Sequence, residues 1–326
     1  MRSKVVSTIV MAITIAVSLH MFAAEAPPPA VGQAAQGAPT GAQGARGAAP
    51  APPGQQSGAP PGARRGGPNP DPWPGQKRLL IVADVQNDYQ HDAINHTLAV
   101  VEELGRKNHA YVTVIRTDSQ LISKTPLPPP SRNAKTLDYY DAIFMLPSGF
   151  TLSEQQEKDL LAYVHDDGKG LIVGHAAGVA RHAKFPEWPN LIGGMMAGEF
   201  FAPVRVIVED PKFPGAMSWG AESFEFPEQH PIAGPPYSRD IDHVILRLDP
   251  KTMPESVRNR RPDGDYPVVW ARQYGKGRVF NFGWGEFEET FDDPGVQGLL
   301  LGAIRWAVGS VDADITPRPM PKGAPQ

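Results

Sequence analysis

Between Ala26 and Gln76 roughly half of the residues are Pro or Gly, and Ala and Gln fill most of the remainder. Such a stretch cannot bury enough apolar surface to offset the entropy of ordering it, so it reads as a disordered linker over residues 26–76. It absorbs much of the excess in a chain of 326 residues with 33 Gly and 36 Pro. Only residues 77–310 have the composition of a packed core, and roughly 235 residues suit one α/β domain.

Arg2 and Lys4 precede an apolar run from Val5 to Leu19, with Ala23, Ala24 and Ala26 behind it. That is the order of a secretory signal, here residues 1–25, and the run of about 15 is short of the roughly 20 a spanning helix needs. An uncleaved N-terminal anchor is the alternative. The expected location is therefore exported, periplasmic or extracellular. Pro317, Pro319, Pro321 and Pro325 mark residues 311–326 as a flexible tail. The chain has no Cys, which excludes a lipid-anchored lipoprotein, a disulfide framework, a zinc-thiolate site and a Cys nucleophile. A net charge of -4, from 31 basic and 35 acidic residues, gives no general reason to bind nucleic acid or an anionic membrane. Arg46, Arg64 and Arg65 are too sparse to make the linker a polyanion-binding arm.

Within 77–310 the apolar pattern switches between strand and helix. Leu79 to Val85 is a continuous strand, and Ile94, Leu98, Val101 and Leu104 then recur at helical spacing. Tyr111 to Ile115, Ala142 to Leu146 and Leu171 to Val173 read as further strands. Ser153 with Gln156 is a capping-box helix start, and Gly168 a stop. Val204 to Val208 and Val244 to Leu248 are strands, and Val268 to Gln273 and Arg278 to Phe282 flank a hairpin turn at Gly275-Lys276. Asp293 with Pro294 starts a last helix. The expectation is a doubly wound, mostly parallel sheet with helices on both faces and a strand-rich C-terminal half carrying a β-hairpin.

In such a sheet ligands bind beyond the carboxyl ends of the strands. Two strand ends here are rich in polar groups: Asn87 to Asp92 after the first, and Gly174-His175-Ala176-Ala177-Gly178 after the fourth. The second has the small-residue framing of a nucleophile elbow, with His175 where Ser or Cys would stand.

The segments Tyr89-Gln90-His91-Asp92-Ala93-Ile94, Gly174-His175-Ala176-Ala177, Leu191-Ile192-Gly193-Gly194, Tyr237-Ser238-Arg239-Asp240 and Pro267-Val268-Val269-Trp270 through Phe280 together resemble the trehalose-utilisation, or ThuA-like, family. The resemblance implies the class I glutamine amidotransferase-like fold, which is flavodoxin-like, without the amidotransferase Cys. It further implies a role in disaccharide or keto-sugar metabolism. His91 and His175 match histidines of the family's crevice, and Glu222 matches the Glu of an Asp-Glu-X-Tyr pattern. The chain has Trp284-Gly285-Glu286 where the family reads Leu-Gly-His, and Phe213-Pro214 where it reads His-Pro.

His91, His175, Glu222 and Glu286 are thus the candidate catalytic set, acting on a small-molecule carbohydrate by imidazole and carboxylate acid–base chemistry. Two imidazoles with one or two carboxylates also suit a divalent zinc, manganese or iron ion, although their sequence spacing lends that no support. Asp92, Trp188 and Trp284 are candidate substrate contacts, the indoles as stacking faces for a sugar ring. His96 is expected on a solvent-facing helix position, and His182, His230 and His243 at the surface. The alternative to an enzyme is a non-catalytic carbohydrate-binding or interaction module on the same fold. A glutamine amidotransferase is excluded, because the nucleophile would have to be Cys.

Overall fold

The computed structural model describes residues 71–83, 91–146, 151–175 and 185–321. The signal segment and most of the linker lie outside these residues, as does His182. All described residues belong to one compact unit, Arg64–Gln326.

The first half alternates strand and helix: β1 (Arg78–Ala83), α1 (Ala93–Lys107), β2 (Val112–Arg116), β3 (Ala142–Leu146), α2 (Glu154–His165) and β4 (Gly170–Gly174). There follow α3 (Trp188–Ile192), β5 (Met195–Val208), β6 (Ser223–Gly234), β7 (His243–Leu248) and α4 (Glu255–Arg258). The chain ends with β8 (Pro267–Tyr274), β9 (Gly277–Phe282), α5 (Glu288–Asp292) and α6 (Pro294–Ala307). Local chemistry accounts for several boundaries. Ser153 and Gln156 form the reciprocal capping box of α2, and the Asp293 carboxylate accepts the Val296 N–H at 2.9 Å to open α6.

The strands form one 9-stranded sheet in the order β2-β1-β3-β4-β9-β8-β7-β5-β6. The pairings among β2, β1, β3, β4 and β9 are parallel, and those from β9 through β6 are antiparallel. The sheet is therefore evenly mixed, which corrects the expectation of a mostly parallel one. The cause is connection length: β8 and β9 are joined by a tight turn, and a two-residue link can only reverse the chain. Of the long β5–β6 ladder the sequence pattern shows only Val204 to Val208, and β6 not at all. Pro203, Pro227 and Pro231 sit inside the ladder, and Pro within an apparent run argues against a strand.

Successive side chains of the central strands feed two cores. Leu79, Ile81, Phe144, Ile172 and Phe280 pack with α1 and α6 on one face, whereas Leu80, Val82, Ile143, Leu171 and Val173 pack with α2 and α3 on the other. Helices thus cover both faces, and strands buried on both sides are apolar throughout rather than alternating. The described stretches on either side of residues 77–310 also engage this unit. Tyr139 donates its hydroxyl to Asp71 at 2.9 Å, and Arg78 pairs with the same carboxylate. After α6, in the stretch expected to be flexible, Val311, Ala313 and Ile315 pack on the first core, and the Thr316 carbonyl accepts from His243 Nδ1 at 2.8 Å.

The consequence for function is geometric. β1, β4 and β9 run parallel, so their carboxyl ends open on the same edge of the sheet.

Candidate functional site

His175 directly follows β4, and its backbone has φ 45, a left-handed conformation that a non-Gly residue rarely adopts. Its N–H donates to the Trp284 carbonyl at 3.0 Å, which ties the end of β4 to the exit of β9. Gly285 then turns the chain with φ 132; a Cβ there would lie 3.2 Å from His175 Cβ and 2.9 Å from the Phe291 ring. Only a residue without a side chain passes this point, and the turn delivers Glu286 beside His175. His91 arrives from the other direction, where its carbonyl accepts the Ile94 N–H at 3.2 Å at the start of α1.

The three side chains converge. Glu286 Oε2 lies 2.9 Å from His91 Nδ1 and 3.2 Å from His175 Nε2, while the two Nε2 atoms are 3.1 Å apart. The imidazoles meet edge to face with centroids 4.1 Å apart. The three groups form a closed triangle, in which His91 presents one ring nitrogen to each partner and His175 presents Nε2 to both. The side chains of His175, His91 and Glu286 are 7%, 16% and 20% exposed, so the cluster is sheltered but reachable. The His175 imidazole, followed by that of His91, holds the Glu286 carboxyl below its ordinary range against the opposing effect of burial. Oε2 has no hydrogen bond of good geometry among the described residues, and its close contact with His175 is the largest influence on it.

A second carboxylate stands behind this group. Glu228 is fully buried on β6, accepts the Gln229 N–H at 2.7 Å and is hydrogen-bonded by the Thr290 hydroxyl. Burial raises its pKa, the charge of His175 lowers it and that of Glu286 raises it again, which places Glu228 within electrostatic reach of both. Sequence reasoning missed Glu228. The available signal was the alternation of Phe226, Glu228 and His230, buried, with Glu225, Pro227 and Gln229, which are not.

Of the residues expected at the site, His91, His175 and Glu286 are brought together and Glu222 is not. Glu222 is exposed just before β6, where its carbonyl accepts the Val208 N–H at 2.9 Å. Six positions of extended chain separate it from Glu228, about 20 Å at roughly 3.3 Å per residue. Asp92 is exposed at the start of α1 and gives it no side-chain cap. Trp188 and Trp284 are fully buried in opposite cores, so neither can offer a ring face to a sugar. Of the three histidines expected at the surface, the two among the described residues are buried: His230 accepts from Trp284 Nε1 at 3.1 Å, and His243 pairs with Asp210 at 2.8 Å. His96 is half-buried and joins α1 to α5 through Asp292 at 2.8 Å.

The aromatic surface lies elsewhere. A cavity of about 390 Å³ is lined by Phe201, Glu225, Phe226, Pro227, Phe287 and Glu289. Phe201 and Phe287 are 63% and 38% exposed and meet edge to face at 5.6 Å. Phe287 immediately follows Glu286, and Thr290, which holds Glu228, also lines the cavity. One ligand atom from each of His91, His175 and Glu286 falls within 4.8 Å of the others, so the same cluster has the donor set for a metal ion.

A family model described as ThuA, trehalose utilisation, matches residues 78–307. Among solved structures, a ThuA-like protein from Bacteroides uniformis is similar at 23% identity with a TM-score of 0.55, over 76% of this chain and 98% of that one. A ThuA-like protein from Parabacteroides merdae is similar at 15% identity with a TM-score of 0.52, over 77% of this chain and 94% of that one. No curated protein matches the chain.

Proposed function

The chain belongs to the ThuA, or trehalose-utilisation, family, and from that premise we propose that it acts on a disaccharide or keto-sugar at the crevice formed by His91, His175 and Glu286. The convergence of those three side chains carries the reading. Glu286 orients His91 through Nδ1, and His91 Nε2 exchanges a proton with His175 Nε2. His91, the more exposed of the two imidazoles, passes the proton to or from the substrate, and His175 at the end of β4 is its proton partner. This is the orienter, base and acceptor logic of a catalytic triad, with an imidazole at the elbow in place of a nucleophile. It suits removal of a proton from a sugar hydroxyl or from a carbon beside a keto group, worth roughly 100- to 10,000-fold when the geometry is right.

The cavity lined by Phe287, the residue after Glu286, supports a sugar as the substrate. Phe201 and Phe287 offer apolar faces, and Glu225 and Glu289 offer acceptors for hydroxyl groups. We further read the parallel half of the sheet as flavodoxin-like, and the N-terminal segment as an export signal that takes the domain to the periplasm or cell exterior.

The test is a turnover screen with trehalose and its keto derivatives on the wild type, His175→Ala and Glu286→Gln. We expect turnover in the wild type, a loss of at least about 100-fold in both variants, and sugar binding that survives in each. Unchanged turnover in His175→Ala would sink the mechanism. Binding without turnover in the wild type would assign the chain to the alternative, a non-catalytic carbohydrate-binding module.

A further inference from the structure

We propose that His91, His175 and Glu286 are the ligands of a divalent first-row transition ion, with zinc the best fit. The inference rests on reading the crevice as the reactive centre and refines how a proton is handled there.

Spacing comes first. Four ligands of a tetrahedral ion bonded at about 2.0–2.1 Å stand about 3.3 Å from one another. If His91 ligates through Nδ1, its 2.9 Å approach to Glu286 Oε2 and the 3.2 Å approach of His175 Nε2 to that oxygen are two such edges. If it ligates through Nε2, the two edges are the 3.1 Å contact with His175 Nε2 and the same 3.2 Å contact. Either choice leaves one edge to close.

Charge comes second. Glu286 Oε2 is buried without an aligned hydrogen bond, and its ion-pair partners among the described residues are the two imidazoles. Glu228 adds a further buried carboxyl within electrostatic reach, and no Lys or Arg forms an ion pair with either carboxylate among the described residues. A cation is the missing element of this balance. Two imidazole nitrogens with one carboxylate oxygen favour zinc, manganese or iron and disfavour magnesium and calcium, which take oxygen ligands.

Rigidity comes third. The left-handed backbone of His175 and the side-chain-free turn at Gly285 are costly features that persist only where the surrounding structure holds them. Three protein ligands leave a position open toward the crevice. An ion there lowers the pKa of bound water to about 7 and supplies a base at neutral pH.

The test uses the full chain, stripped with a chelator and titrated with zinc chloride by calorimetry, with metal content of the untreated protein measured by mass spectrometry. The expected result is one ion per chain, a rise in thermal midpoint on loading, and at least a 100-fold loss of affinity in His175→Ala and Glu286→Gln. His96→Ala, a histidine outside the cluster, should bind zinc as the wild type does. Cobalt(II) added to the wild type should give the visible absorption of a four-coordinate site, a readout that does not depend on any variant folding. Absence of a stoichiometric ion with zinc, manganese or iron(II), or affinity unchanged in both cluster variants, would overturn the assignment. Sugar turnover in the stripped protein that zinc does not alter would also overturn it while leaving the carbohydrate reading intact. Zinc bound by the cluster in a protein that neither binds nor turns over a sugar would support the metal site and remove the reading it was built upon.

Discussion

His230 is fully buried against Trp284, and its two ring nitrogens have opposite duties. Nδ1 accepts the indole N–H at 3.1 Å, so the proton must sit on Nε2, where it faces the carbonyls of Ala202 at 3.0 Å and Phe226 at 3.2 Å. A second proton would point at the indole N–H. Burial, the largest influence, pushes the pKa from 6.5 down to about 4. The unfolded chain therefore takes up this proton near pH 6.5 while the native state refuses it until about pH 4. Stability is complete above the upper value and falls as the pH drops between the two, by about 3 kcal/mol in all. Nitrogen NMR at pH 5 should show a neutral His230 carrying its proton on Nε2, and an imidazolium at that pH would contradict the packing account. The pattern at this scale is that a titratable group's role follows from what buries it. His230 and His243, by type alone ordinary surface residues, are core residues here, and each has found a partner.

The β5–β6 ladder and helix α6 show opposite degrees of legibility at the next scale. Asp293, Pro294 and the apolar spacing of Val296, Leu299, Leu300 and Ala303 declare α6 from local chemistry, and the helix is as declared. The sequence does not declare why it holds glycines. Gly295 lies against Trp219, Gly298 against Ser218, and a Cβ on Gly302 would come 2.1 Å from the Pro214 carbonyl oxygen. Gly302→Ala should therefore destabilise by about 1–3 kcal/mol in denaturant unfolding, despite the higher helix propensity of Ala. In the ladder the physics is reversed. The 14 residues of β5 are largely exposed or half-buried until Val204, so no buried face is written into their pattern. Their pairing is specified by β6 across the hairpin. Phe201→Ala, on that exposed stretch, should change stability by less than about 0.5 kcal/mol. It should also weaken trehalose binding measured by calorimetry, and equal affinity would remove the groove from the substrate path.

At the scale of the molecule, β9 is the hinge of the architecture. It pairs parallel to β4 and antiparallel to β8, so a single strand welds the parallel half to the antiparallel half. The segment after α6 closes over this junction. Arg278 of β9 donates to the Val311 carbonyl at 3.1 Å and pairs with Asp312 at 2.9 Å, and Arg318 approaches Asp210 at 3.8 Å. Truncation after Ser310 would expose Val311, Ala313 and Ile315 together with their core contacts, a loss of about 2–3 kcal/mol. At about 2–4 °C per kcal/mol for a domain of this size, the calorimetric midpoint should fall by roughly 5–10 °C. An unchanged midpoint would show that these contacts contribute nothing to stability.

Signals that act within one helical turn or one strand could be read directly: the capping box at Ser153, the cap at Asp293 and the hairpin turn at Gly275, whereas the residues of the elbow after His175 lie outside the described ones. The histidines of the crevice belonged to that set, because each follows a strand whose end could be located. The choice between Glu222 and Glu228, and the burial of Trp188 and Trp284, depended on strand register and on which face each element turns inward. Those are set by contacts between residues far apart in the chain. Sheet order, decided by long-range packing, brings the exits of β1, β4 and β9 to one edge, and that convergence turns His91, His175 and Glu286 into a single group.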